Sequence, residues 1–179
     1  MELKRVVVTG LGAVTPLGLN VDETWEALLN GVSGAGPITH FDASQFKTQF
    51  ACEVKNFDPT LYLDKKEVRK FDRYAQFAVA AAKEAVGDSA LDLEKVDKNR
   101  VGVIFAAGIG GIRTFEEEVG GYFTNIERGP KFNPFFIPKM IADIAAGHIS
   151  MIYGFHGPNY ATVSACASST HSLIDAFNN

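Results

Sequence analysis

Three short runs of strand-forming residues, each passing into glycine or small residues and then into a helical pattern, constrain this chain most. They are KRVVVTGLGAVT near the start, RVGVIFAAG in the middle and GPNYATVSA near the end. VDETWEALLNG follows the first, with Asp22 placed to cap a helix, Trp25, Leu28 and Leu29 on one face, and Gly31 as the stop. In DKKEVRKFDRYAQFAVAAAKEAVGDSAL, residues Phe71, Tyr74, Ala78, Ala81 and Ala85 recur at helical spacing, which predicts a core-facing helix. GIGGIRTFEEEVGGYF reads as a glycine turn into an acidic amphipathic helix. NPFFIPKMIADIAAGHISMIYG opens on proline and sets Met140, Ile141, Ile144, Ala145, His148, Met151 and Ile152 on one stripe; CASSTHSLIDAF opens a last helix. TQFACEV alternates like a further strand, and VSGAGPITHFD reads as loop. Strands alternating with helices predict an α/β layered fold with a largely parallel sheet. The pattern breaks off after the last helix, which has no strand behind it.

Charge and hydropathy exclude several functions. A net charge of −4 over 179 residues gives no bulk electrostatic case for nucleic-acid binding. MELKRVVVTG lacks the apolar stretch of a signal peptide, and no apolar run approaches the ~20 residues needed to span a bilayer. The two cysteines, Cys52 and Cys166, read as free thiols in a reducing compartment, which places the protein in the cytoplasm. No cysteine or histidine cluster has metal-ligand spacing.

Cys166 stands where the third strand hands over to a helix. Unpaired N–H groups and the partial positive charge at a helix start stabilise a thiolate, and the same N–H groups can hold an oxyanion. Ala165 and Ala167 leave room for an acyl group. Beside this stands the plainer reading of a small buried filler. A nucleophilic cysteine needs a partner. His171, five residues on, projects about 140° away on a helix. His148 lies on an apolar stripe and reads as packing, while His40 and His156 sit in loops without supporting carboxylates. The helper groups are therefore expected beyond Asn179. GLGAVT at Gly10 fails as a dinucleotide fingerprint, and GIGG at Gly108–Gly111 lacks the spacing and lysine of a phosphate loop; both read as close packing. Cys52 reads as core filler. Lys65, Lys66, Arg69, Lys70 and Arg73 cluster against Glu67 and Asp72, and Arg128, Lys131 and Lys139 add positive charge; patterning alone makes this a solvated face.

RVVVTGLGAVTPLG, GIGG, NPFFIPKMI, AGHISMIYGFHGPN and VSACASST occur in this order. Together they resemble the N-terminal part of the β-ketoacyl-acyl-carrier-protein synthases, most closely the elongating type II bacterial condensing enzymes. The resemblance covers essentially all of residues 1–179. It implies a thiolase-like layered fold (αβαβα in the full enzyme), with this chain an incomplete N-terminal ketosynthase domain. It implies that the cysteine matching Cys166 accepts an acyl chain from acyl carrier protein. Decarboxylated malonyl-carrier protein then attacks that thioester, without redox cofactor or catalytic metal. The isoleucine matching Ile109 would line the acyl pocket, and the phenylalanine matching Phe136 would lie near it across a homodimer interface. Lys65, Lys66, Arg69, Arg128 and Lys131 resemble the surface that docks the acidic carrier protein, against the solvated-face reading. Two histidines and a lysine of the family's machinery fall in the half not represented here, so the chain is expected to be inactive alone and prone to aggregate. The alternatives are a polyketide-type ketosynthase, another thiolase-superfamily acyltransferase such as a thiolase or an initiating synthase, and a non-catalytic partner subunit. The nucleophile at Cys166 speaks against the last.

Overall fold

The computed structural model describes residues 5–129 and 131–179, which divide into two units. One comprises Val8–Asp58 with Ala80–Ala90. It holds the first helix, α1 (Val21–Leu29), and a minimal antiparallel pair, β1 (Gly36–Pro37) and β2 (Phe50–Ala51). The cap of α1 is Asn20 rather than Asp22: its side chain accepts the Glu23 N–H at 2.8 Å, and Asp22 and Glu23 place negative charge on the helix's positive end. Gly31, at φ +64°, follows the end of the helix. Trp25, Leu28 and Leu29 are exposed.

The expected first strand is not formed. Among the described residues of KRVVVTGLGAVT no strand pairing occurs, and Val6, Val7 and Val8 are 51%, 62% and 79% exposed. The N–H groups of Leu11 and Ala13 donate instead to the carboxylates of Asp88 and Glu84, on the last turns of the long helix. Backbone donors held by helix side chains are not available to a ladder. The packing reading of Gly10 and Gly12 holds: a Cβ at Gly12 would fall 1.9 Å from the Ala81 carbonyl oxygen, and one at Gly10 2.3 Å from that of Ala85. Strand TQFACEV shrinks to Phe50–Ala51, and Cys52 is exposed rather than core, because a two-residue ladder cannot bury alternate side chains.

The other unit comprises Pro59–Val79 and Leu91–Asn179, with residues 5–7. After a one-turn helix, α2 (Lys65–Val68), begins the long α3 (Arg73–Asp88), whose first half belongs to this unit. Of the expected stripe, Phe71 and Ala78 are buried and Tyr74 is half-buried, while Ala75 and Val79, which the spacing did not single out, are buried as well. β3 (Val103–Ala106) leads to α4 (Ile112–Thr124), α5 (Phe136–Met140), α6 (Ile144–Tyr153), β4 (Asn159–Thr162) and α7 (Ser168–Asn178). β3 and β4 pair in parallel, with Val103 opposite Asn159 and Ala106 opposite Thr162, and α6 and α7 pack on both. This is the expected strand–helix layering with a parallel pair.

The stripe from Met140 to Ile152 is two helices, not one. At Ile141 the chain is extended (φ −64°, ψ 141°), and the Tyr74 hydroxyl donates to the Ile141 carbonyl at 2.5 Å. A tertiary hydrogen bond thus satisfies the acceptor that a continuous helix would have used. Burial, followed by the charges of Asp72 and Asp143, pushes the Tyr74 phenol well above its usual range, so it stays a donor. Ala145, Ala146 and Ile149 are the buried side of α6, while Met151 and Ile152 are exposed.

Candidate active site

The two parallel strands deliver two strand-to-helix turns at the same end. Ala106 is opposite Thr162, and the Ala107 N–H donates to the Thr162 carbonyl at 3.3 Å, so residues 107–111 and 163–167 leave the sheet side by side. The carboxyl end of parallel strands is where α/β folds gather ligands.

In the second turn the chain passes from Val163 through a single 3₁₀ turn, Ala165–Ala167, into α7. Ala165 takes φ +50°, in the left-handed region. That conformation costs an alanine about 1–2 kcal/mol, so the surroundings must enforce it. Ser168 is only 4% exposed. Its hydroxyl accepts the Ser164 N–H at 2.7 Å and donates to the Ala165 carbonyl at 2.7 Å. The Thr162 hydroxyl donates to the Ser168 carbonyl at 2.8 Å, and the Ala167 N–H donates to the Ser164 carbonyl at 3.0 Å. Cys166, in the middle of this knot, is exposed. Within these residues Cys166 is not packed as the small-filler reading would have it. A cysteine standing on the first turn leading into a helix meets N–H groups without intrahelical acceptors and the positive end of the dipole.

No histidine takes up the role of partner. His171 engages Ser164, its Nδ1 lying 2.8 Å from the Ser164 hydroxyl oxygen. His148 stacks on Phe71 with ring centroids 3.6 Å apart. Burial holds its pKa below the usual histidine range, against a weaker opposing pull from Glu67, in keeping with a packing role. His40 does have a carboxylate, contrary to expectation: Glu53 lies 4.0 Å away. That carboxyl is held below its usual range by the Thr39 hydroxyl and N–H.

The first turn is built from glycine. Gly110 takes φ +87°, and a Cβ there would stand 2.4 Å from the Met140 carbonyl oxygen; one at Gly111 would stand 2.4 Å from that of Lys139. The Gly111 N–H donates to the Met140 carbonyl at 2.9 Å. Behind the turn, buried Asp72 accepts the Thr114 hydroxyl at 2.5 Å and the Thr114 N–H at 3.2 Å, pinning the first turn of α4. Ile109 sits on an open apolar cleft of about 270 Å³ with Ile112, Phe115, Met140, Ile141 and Ala142. Phe136 stands against Phe115 (centroids 6.3 Å) and stacks on Phe132 (5.6 Å).

The basic side chains fall into two groups. Lys65, Lys66 and Arg69 are exposed on and beside α2. Arg128 and Lys131 line a cleft of about 350 Å³ shared with Glu117, Glu118 and Asn125, so positive charge there is partly offset. Lys70 pairs with Glu67 at 2.6 Å and lies 5.8 Å from the centre of the Phe135 ring. The hydroxyl latch around Cys166 was not foreseen from the sequence; the density of serine and threonine in TVSACASST was its only signal. Among the described residues no group of histidine, cysteine and acidic side chains could hold a metal ion, and no helix is long and apolar enough to cross a membrane.

Comparison with known proteins agrees with this geometry. The 3-oxoacyl-[acyl-carrier-protein] synthase 2 of Coxiella burnetii (strain RSA 493 / Nine Mile phase I) is 47% identical over 173 residues, 97% of this chain and 41% of the relative. That of Synechocystis sp. (strain ATCC 27184 / PCC 6803 / Kazusa) is 43% identical over 178 residues, 99% of this chain and 42% of the relative. The chain thus spans about two-fifths of the length of these curated relatives. Among solved structures, the ishigamide ketosynthase/chain length factor superposes with a TM-score of 0.84 at 25% identity, covering 99% of this chain and 45% of that one. The family described as "Beta-ketoacyl synthase, N-terminal domain" matches residues 3–179, and the chain belongs to it.

Proposed function

We propose that residues 1–179 form the N-terminal part of an elongating β-ketoacyl-acyl-carrier-protein synthase of type II fatty-acid synthesis, with Cys166 as its acyl acceptor. The observation that carries this reading is the outward-facing thiol on a latched strand-to-helix turn. The Cys166 thiolate attacks the thioester of an acyl-carrier protein, and the carrier's sulfur leaves as a thiolate that takes up a proton from solvent. Malonyl-carrier protein loses carbon dioxide, and the carbanion so formed attacks the Cys166 thioester. The C–S bond breaks, the thiolate is restored, and a β-ketoacyl-carrier protein two carbons longer departs. The reaction balances in atoms and electrons without an added oxidant or reductant. The helix start beside Cys166 is suited to the oxyanion that forms at each addition.

The cleft at Ile109 would receive the acyl chain, with Phe136 near it at a homodimer interface. Lys65, Lys66, Arg69, Arg128 and Lys131 would meet the acidic carrier protein. The remaining histidines and lysine would come from the part of the enzyme outside these residues. The reading places the enzyme in the cytoplasm. The names of the relatives at 43–47% identity support fatty-acid elongation over a polyketide pathway.

Iodoacetamide labelling tests the assignment: Cys166 should be modified in preference to Cys52, and in the full-length enzyme both labelling and Cys166→Ala should abolish condensation. Condensation that survives Cys166→Ala overturns it. Turnover by residues 1–179 alone would overturn the expectation that the catalytic partners lie elsewhere.

A further inference from the structure

We propose that Ser168 is a positioning residue for Cys166: its buried hydroxyl holds the left-handed Ala165 turn that presents the thiol. The inference rests on the nucleophile reading above. Ser168 is buried in a stretch where Val163, Ala165, Cys166, Ala167, Ser169, Thr170 and His171 are all exposed. A serine in the first turn of a helix commonly donates back to a carbonyl three residues earlier, and that alone would mean little. Here the oxygen also accepts the Ser164 N–H, so one hydroxyl ties the Ser164 amide to the Ala165 carbonyl, across the Ser164–Ala165 peptide just before Cys166. Both bonds are 2.7 Å. The span between the two anchoring groups is Ser164–Ala165, and Ala165 within it takes φ +50°. A non-glycine residue persists in that region only when its surroundings over-determine it. Thr162 completes the device by holding the Ser168 carbonyl to the last residue of β4, so the latch is referenced to the sheet. The latch uses no atom of the Cys166 side chain, which leaves the thiol free for chemistry.

This makes a prediction that a purely structural serine would not. The latch is needed because Ala165 resists its conformation, and a glycine at 165 adopts it freely. The test is the second-order rate of iodoacetamide alkylation at Cys166 in the full-length enzyme, read by mass spectrometry of the Cys166 peptide. Ser168→Ala should slow it about tenfold, by leaving one donor and one acceptor of the turn unpaired. Ser168→Thr, which keeps the hydroxyl, should react within about twofold of the parent, and Thr162→Val should slow the reaction about threefold. Adding Ala165→Gly to Ser168→Ala should restore most of the parental rate. An unchanged rate in Ser168→Ala overturns the proposal, as does a loss that Ala165→Gly fails to relieve. If Ser168→Ala does not fold, the double variant decides: folded and reactive supports the latch, unfolded overturns it. A parent chain whose Cys166 reacts no faster than a free cysteine peptide overturns the nucleophile reading itself, a result distinct from fast labelling that ignores Ser168.

Discussion

The two turns at the end of the β3–β4 pair solve one geometric problem with opposite chemistry. After β3 the chain passes so close to the α5 end that no side chain fits, and Gly110 and Gly111 fill the positions. After β4 the chain also enters the left-handed region, but with Ala165, and hydroxyl groups from Ser168 and Thr162 hold it. Glycine serves where backbone approaches backbone. At Ala165 no backbone crowds the Cβ position in the same way, and hydroxyl hydrogen bonds rather than glycine hold the left-handed turn.

The largest effect that could break this contrast is at Gly110. Gly110→Ala places a Cβ 2.4 Å from the Met140 oxygen at φ +87°, and should destabilise the chain by about 3–5 kcal/mol, read from denaturant midpoints. A near-neutral result would mean that the close approach is not rigid. Next comes Thr114→Val, which strips the hydroxyl donor from buried Asp72 behind the glycine turn; a loss of about 2 kcal/mol is expected by the same measurement. If the loss falls below a few tenths of a kcal/mol, Asp72 does not anchor α4. Ala165→Gly should have the opposite sign from Gly110→Ala: relief of left-handed strain, less the entropy of glycine, stabilises by about 0.5 kcal/mol. A clear loss of stability would erase the distinction between the turns.

The smallest effect is on pH dependence, and it bears on the support the turns share. α6 packs against both β3 and β4, and its His148 is held neutral by burial against Phe71. The unfolded histidine titrates near 6.5 and the folded one below it. The unfolded chain therefore binds the proton more readily, and stability is fully present above about pH 6.5 and declines as pH falls toward the folded value. His148→Phe should flatten that decline in denaturation midpoints taken across the window. An unaltered slope would show that His148 is not its source.

Much of the chemistry was legible before the fold. Cys166 at a strand–helix joint and the close packing at GIGG were readable, because each depends on residue type and spacing within one segment. What misled was always a matter of partners. KRVVVTG has the composition of a buried strand, yet its Val6–Val8 are exposed, because a strand exists only through the ladder it joins. Cys52 has the alternation of a core residue and lies outside. The stripe through Met140 and Ile152 has a single period, and a tyrosine from another helix cuts it at Ile141.

The sequence alone determined that this chain alternates strands and helices, that glycine crowds the first turn, and that a thiol sits at the second. Those follow from local propensity and from the steric demands of single residues. Only the tertiary structure decided that Cys166 faces outward, that Ala165 is left-handed and that Ser168 holds it so. Residue type and spacing do not show which backbone groups a hydroxyl will hold; that follows from the conformation the segment takes between β4 and α7.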